Sequence, residues 1–202
     1  MAISNYEYTG GDLSITNHLL DSLCNCPQHI TGDFDCSDNQ LDSLEYGPKI
    51  VDGSYDCSYN HLTSLEGCVS HVGGVFSCDA NRLYSLVGGP ERVDGKYNCS
   101  NNYLNNLDGC ASHISELNFI SNNITSLVGI HKIIKKCKKI VFDAIRIKQG
   151  GIGLLLIADL EIISSNTPPF SIISKYLGTG TKGMMECSKE LTAKGYANYA
   201  KL

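Results

Sequence analysis

The sequence predicts an α+β chain: a solenoid of short parallel strands followed by a helical cap at the C-terminal end. Three observations carry this reading. A 21-residue unit recurs over residues 11–131, about six times. After Gly129 the unit decays and the balance of charge changes sign. The segment that follows holds apolar stretches separated by Gly and Pro. Self-similarity at a period of roughly 20 to 50 residues marks architectures in which each unit cannot bury its apolar side alone and stacks on its neighbours.

The unit is defined by columns. Cys36, Cys57, Cys78 and Cys99 are 21 residues apart, with Asn39, Asn60, Asn81 and Asn102 three residues later. Leucines follow at 41, 62, 83 and 104 and at 44, 65, 86 and 107, and an aromatic (Phe34, Tyr55, Phe76, Tyr97) precedes each Cys by two. Alternation of aromatic and Cys places both on the inner side of a strand, since side chains alternate along it. The two leucines then fill the coil, and the Asn amide is placed to bond turn backbone. Gly53, Gly74 and Gly95 end the unit at a tight corner. Upstream, Leu13, Ile15, Leu20 and Leu23 fit the same slots with His18 in place of Asn; downstream, Leu117, Phe119, Asn122, Ile124 and Leu127 continue them one residue short.

A finer pattern repeats every second unit. Cys26, Cys68 and Cys110 each precede a His by three (His29, His71, His113), whereas the intervening units carry Gly47-Pro48 and Gly89-Pro90. Cys and His at this spacing can ligand zinc, but successive pairs lie two turns apart, about 10 Å. No metal and no cofactor is therefore expected. The Cys column reads as small buried hydrophobes, not as nucleophiles.

Beyond residue 131 the expectation is a basic strand and a cap over 132–202. Ile140-Val141-Phe142 reads as a last strand, and the apolar run from Ile152 to Ile163 as a buried helix of three or four turns. Thr167-Pro168, after Asn166, marks a helix start, and a final helix from about Thr181 places Met184, Cys187 and Leu191 on one face. Gly150-Gly151-Ile152-Gly153 lacks the Lys-Ser/Thr ending of a phosphate loop.

Charge is distributed unevenly. Residues 1–128 hold 4 Lys/Arg against 16 Asp/Glu, and residues 129–202 hold 12 against 5, within a net charge of −5. The start Met1–Glu7 has neither the basic nor the apolar region of a secretory leader, and the longest apolar run, Leu154–Ala158, is far too short to span a bilayer. A cytoplasmic protein with reduced thiols and no membrane partner is expected.

The outward positions of the strands supply the candidate binding face: Asp33, Asp35, Ser37, Asp56, Ser58, Ser77, Asp79 and Asn98, with Asp38, Tyr59, Asn101 and Tyr103 beside them. Such a face repels nucleic acid and suits a basic protein surface. A second candidate is the basic rim of Lys132, Lys135, Lys136, Lys138 and Lys139. No catalytic constellation is present; His131, Asp143 and Glu186 are the acid or base residues an enzyme reading would need.

The unit [FY]-x-C-S-x-N-x-L-x-S-L-x-G resembles the strand segment of leucine-rich repeats, and with the ending Cys187, Glu190-Leu191, Gly195-Tyr196 and Tyr199–Leu202 it resembles leucine-rich-repeat-like proteins of tailed bacteriophages. That resemblance implies a leucine-rich-repeat-like solenoid and an anti-defence role of the anti-DarT-factor type. The expected function is a non-enzymatic interaction module, monomeric or weakly dimeric, that binds and neutralises a host protein in the host cytoplasm. The alternatives are a virion or assembly component, or an enzyme with its site in the cap.

Overall fold

The structure is a computed structural model that describes residues 8–165 and 167–202. The Met1–Glu7 start, read above for a leader, and Asn166 at the expected helix start lie outside the described residues. The chain forms a parallel-strand solenoid of about seven turns with a helical C-terminal cap. Its main sheet has eight strands in chain order: Leu13–Ser14, Phe34–Asp35, Tyr55–Asp56, Phe76–Ser77, Lys96–Asn98, Glu116–Asn118, Lys139–Val141 and Ile162–Ser164. A second ladder has four strands (His29–Ile30, Ile50–Val51, His71–Val72, Arg92–Val93), which precede the second to fifth main strands by one corner.

The corner explains the glycine column. A Cβ on Gly53 would stand 2.7 Å from the Gly32 carbonyl oxygen, and one on Gly95 2.5 Å from that of Gly74. Backbone lies directly on backbone here, each glycine N–H donating to the glycine carbonyl one turn back at 3.0 Å. Close approach, not an unusual φ, is what requires glycine.

Between the ladders the core is a stack of like residues. Phe34, Tyr55, Phe76 and Tyr97 meet edge to face with ring centroids 5.0, 5.8 and 5.0 Å apart, an arrangement favoured by the ring quadrupole. Cys36, Cys57, Cys78 and Cys99 are fully buried beside them. From the sixth turn the two slots exchange sizes. Leu117 and Ile140 take the aromatic slot while Phe119 and Phe142 take the Cys slot and stack at 5.4 Å. Volume per turn is conserved, so the coil continues without a void. Phe142 then meets Phe170, and Phe170 meets Tyr199, which carries the aromatic spine into the cap.

Asparagines tie the turns together. Asn81 Nδ2 donates to the Cys78 and Asp79 carbonyls of its own turn and to the Cys57 carbonyl of the turn before, while its Oδ1 accepts from Leu62 N–H. Asn60, Asn102 and Asn122 repeat this set, and Asn39 adds a second acceptance, from His18 and Leu20 N–H. All five are buried. The residue before each (Asp38, Tyr59, Ala80, Asn101, Ser121) has φ of 52–55°, a left-handed conformation that aims the amide inward. His18 belongs to the terminal strand's turn among the described residues; it is exposed and bonds the Thr16 carbonyl.

The alternation every second unit has a packing cause. Tyr55 and Tyr97 belong to the turns with Gly47 and Gly89, whereas Phe34 and Phe76 belong to those with Cys26 and Cys68. A Cβ on Gly89 would come within 3.1 Å of the Tyr97 hydroxyl and 2.8 Å of Leu65 Cδ1. Glycine makes the space that the phenol oxygen occupies.

Two expectations are corrected. The expected last strand at 140–142 is present as Lys139–Val141, but it is not the last: Ile162–Ser164 extends the main sheet beyond it, and Ser126–Leu127 pairs with Gln149–Gly150. The expected buried helix over 152–163 is a short 3₁₀ segment, Ile152–Leu156, followed by the eighth strand. Its apolar run has no helical period, and the β-branched pair Ile162-Ile163 continues the sheet. The helices are α1 (Ile130–Ile133), α2 (Pro168–Ser174, with Thr167 as N-cap) and α3 (Gly180–Ala193). Cys187 and Leu191 of α3 are fully buried. Glu190 holds α2 to α3 through Lys175 at 2.8 Å and the Tyr176 hydroxyl at 2.9 Å.

Asn81→Ala removes four hydrogen bonds and leaves the buried Leu62 N–H without its acceptor, so urea unfolding will show a loss of about 3 kcal/mol. Tyr97→Phe removes a buried hydroxyl that has no hydrogen-bond partner and will be neutral or stabilising. Gly89→Ala will cost about 1 to 3 kcal/mol by overpacking. The same unfolding experiment distinguishes them.

Candidate functional site

The outer face of the main sheet is flat and polar, and its polar groups are tied down. Asp35 Oδ1 accepts from Ser37 N–H at 2.9 Å and from Ser37 Oγ at 2.6 Å. Asp56 does the same with Ser58, at 2.8 and 2.5 Å, and Asn98 with Ser100. These short-range turns recur because Asp or Asn followed two residues later by Ser lets the side chain bond the backbone it precedes. Asp33, exposed, accepts from Ser54 N–H of the next turn. Ser77 Oγ donates to Asp79 Oδ1, which also receives Asn98 Nδ2 at 3.0 Å.

This placement corrects part of the expected contact set. Ser58 and Ser77 are 4% and 8% exposed, because their hydroxyls turn onto the neighbouring carboxylates; they orient the face and offer it little surface. Asp33 is exposed, and Asp35, Ser37, Asp56, Asp79 and Asn98 are half-buried with one edge outward. Asp35 and Asp56 stand side by side in register. Burial raises the Asp56 pKa, the Ser58 hydrogen bonds oppose that, and the nearby Asp35 and Asp79 charges raise it further.

A rim of aromatics borders this face. Tyr59 follows Ser58 directly, Tyr84 and Tyr103 lie 5.4 Å apart between ring centroids, and the three are 60%, 61% and 46% exposed. Arg82 and His61, also exposed, occupy the same column one and two turns before Tyr103. Tyr84, Arg82 and His61 were not recognisable from sequence because their columns hold a different residue type in every turn.

The basic rim is divided among elements. Lys132 is exposed on α1, and Lys135 Nζ donates to the His131 carbonyl. Lys136 pairs with Asp159 at 3.0 Å, and Lys139 shares Glu116 with Lys96 across three adjacent strands, at 3.1 and 3.4 Å. Burial works against ionisation of Glu116, but the Lys139 and Lys96 contacts prevail and lower its pKa. Lys138 remains exposed.

The residues of the enzyme reading do not come together. The His131 Nδ1 is buried and faces Gly153, Asp143 accepts from Ser121 N–H beside Arg146, and Glu186 is exposed on α3. Cys and His of each Cys-x-x-His point apart. Cys26 and Cys110 are buried, whereas His29 and His71 face outward onto Asp52 and Asp94 at 2.9 and 3.1 Å. Burial pushes the Cys26 and Cys68 thiols up to about 12, which keeps them protonated and unreactive. No helix of the described residues is long and apolar enough to cross a membrane. No known protein family, curated protein or solved structure matches the chain.

Asn98 shows that an amide can replace the carboxylate in this turn. Asp56→Asn will therefore keep the fold and remove the repulsion with Asp35 and Asp79. Because the native state raises the Asp56 pKa, native Asp56 holds its proton more tightly than the unfolded chain, and stability is lost as pH rises through that titration. The variant will be at least as stable as the parent at neutral pH in thermal unfolding, and its advantage will vanish at pH below the Asp56 titration.

Proposed function

We propose that this chain is a non-enzymatic binding module that docks its acidic, tyrosine-rimmed sheet face on a basic protein surface. The observation that carries this reading is the fixed row of Asp33, Asp35, Asp56 and Asp79 beside exposed Tyr59, Tyr84 and Tyr103. Carboxylates held by their own turns lose little freedom on binding, and exposed tyrosines supply contact area at low entropic cost. Negative charge on such a face steers a positive partner and sets orientation.

The resemblance to leucine-rich-repeat-like phage proteins makes the proposal specific. The protein acts in the host cytoplasm as an anti-defence factor, and its partner is a DarT-type ADP-ribosyltransferase toxin, held in an inactive complex. A basic groove that receives nucleic acid is the kind of surface this face complements.

Titration calorimetry of the purified protein against a purified DarT-type toxin will show a stoichiometric complex that weakens between ionic strengths of about 0.05 and 0.5 M. Asp35→Asn with Asp56→Asn, and separately Tyr84→Ala, will each weaken it about tenfold or more. A complex indifferent to both variants would remove the sheet face from the proposal, and failure to form any complex would remove the toxin.

A further inference from the structure

The second ladder is broken at one place. Its four strands end at Arg92–Val93, and pairing resumes as bridges from His113 to Lys136 and from Lys136 to Ala158. Among the described residues no ladder pairing joins Arg92–Val93 to His113–Ile114; the two turns meet at the corner, where Ser115 N–H donates to the Gly95 carbonyl at 2.9 Å. The gap opens a groove of about 410 Å³. Buried Val93 and Ile114 form its floor, and Arg92, His113, Lys136 and Lys138 form its walls with Ser115.

We infer that this groove is a binding site for a small phosphorylated ligand of nucleotide size. Its basic side chains converge from three successive turns, and one is held in place. Asp94 accepts from Arg92 Nε at 2.7 Å and from His71 Nε2 at 3.1 Å, so the single carboxylate lining the groove is already engaged and fixes the guanidinium. The hydrogen bonds from Arg92 and His71 hold that carboxylate's pKa below its ordinary value, and it stays an ionised anchor for the guanidinium. Lys138 has no carboxylate partner among the described residues, and Lys136 is held by Asp159. Arginine and lysine around a polar hydroxyl are the groups that bind phosphate oxygens, and the volume lies in the range of small-molecule sites.

Size follows from the surroundings. A polynucleotide lying along the ladder would leave the groove past exposed Glu91, Asp52 and Asp94 and meet the net negative charge of the repeats, which repels a long run of phosphates. A compact mono- or diphosphate meets the basic walls and a single carboxylate, Asp94, that Arg92 and His71 already engage. The site lies on the second ladder, not on the main-sheet face assigned to protein binding, and is independent of that reading.

Calorimetric titrations with inorganic pyrophosphate, with adenosine diphosphate and with a single-stranded oligonucleotide test the inference. Pyrophosphate and the nucleotide will bind saturably and one to one; Arg92→Gln with Lys138→Gln, both exposed and folded by circular dichroism, will weaken both about tenfold or more, whereas Asp35→Asn with Asp56→Asn will leave both unchanged. Equal affinity for inorganic pyrophosphate and the nucleotide would identify the phosphate as the recognised group, and tighter nucleotide binding would add the base or sugar over Val93 and Ile114. Absence of binding to either, binding indifferent to the Arg92 and Lys138 variants, or binding of the oligonucleotide alone would overturn it.

Discussion

Everything in this molecule depends on the hydrogen bonds of five buried asparagines. A turn of 21 residues has one short strand in each ladder, and strands of two or three residues cannot by themselves fix register. Each Asn side chain reads the carbonyl of the turn before and the carbonyls of its own turn at once. Register is therefore set by side chains that bridge neighbouring turns, and the aromatic and thiol stacks follow from it. The left-handed residue before each Asn is the local conformational cost of that arrangement, distributed over Asp38, Tyr59, Ala80, Asn101 and Ser121.

The same constraint shapes the surface. Once register is fixed, outward side chains form straight columns, and a column can be uniform or varied without disturbing the core. The polar turns keep one theme, Asp-x-Ser at 35/37 and 56/58, Ser-x-Asp at 77/79 and Asn-x-Ser at 98/100, because they complete the strand-to-turn transition. The residues of the tyrosine columns vary from turn to turn, as at Asp42, Thr63, Tyr84 and Asn105, because nothing in the core constrains them.

Much of this was legible in the sequence. The Cys, Asn and Leu columns disclosed the solenoid and its inner face because stacking forces one residue type into one position. Legibility failed where position and type part company. The run from Ile152 to Ile163 has composition without period, whereas the exchange of aromatic and Cys slots at Leu117/Phe119 was read because Asn122, Ile124 and Leu127 keep the frame. At the surface, Asp35 and Asp56 were found by alternation, but the inward turn of Ser58 and Ser77 depends on hydroxyl geometry that spacing does not encode. The groove between Arg92 and His113 was invisible, because their spacing keeps the repeat while the pairing does not.

The pairing of Tyr55 with Gly47 and Tyr97 with Gly89 has a consequence for how such a coil can change length. A single turn is not interchangeable with its neighbour: the phenol oxygens of the tyrosine turns lie among the thiols of Cys26, Cys68 and Cys110 in the turns on either side. Excising one turn would set two glycine turns or two cysteine turns in succession, crowding hydroxyl on hydroxyl or leaving thiols with no phenol between them. Growth and shrinkage are quantised in steps of two turns. The unit that keeps this packing is a 42-residue doublet, repeated from Cys26 to Cys68 and from Cys68 to Cys110.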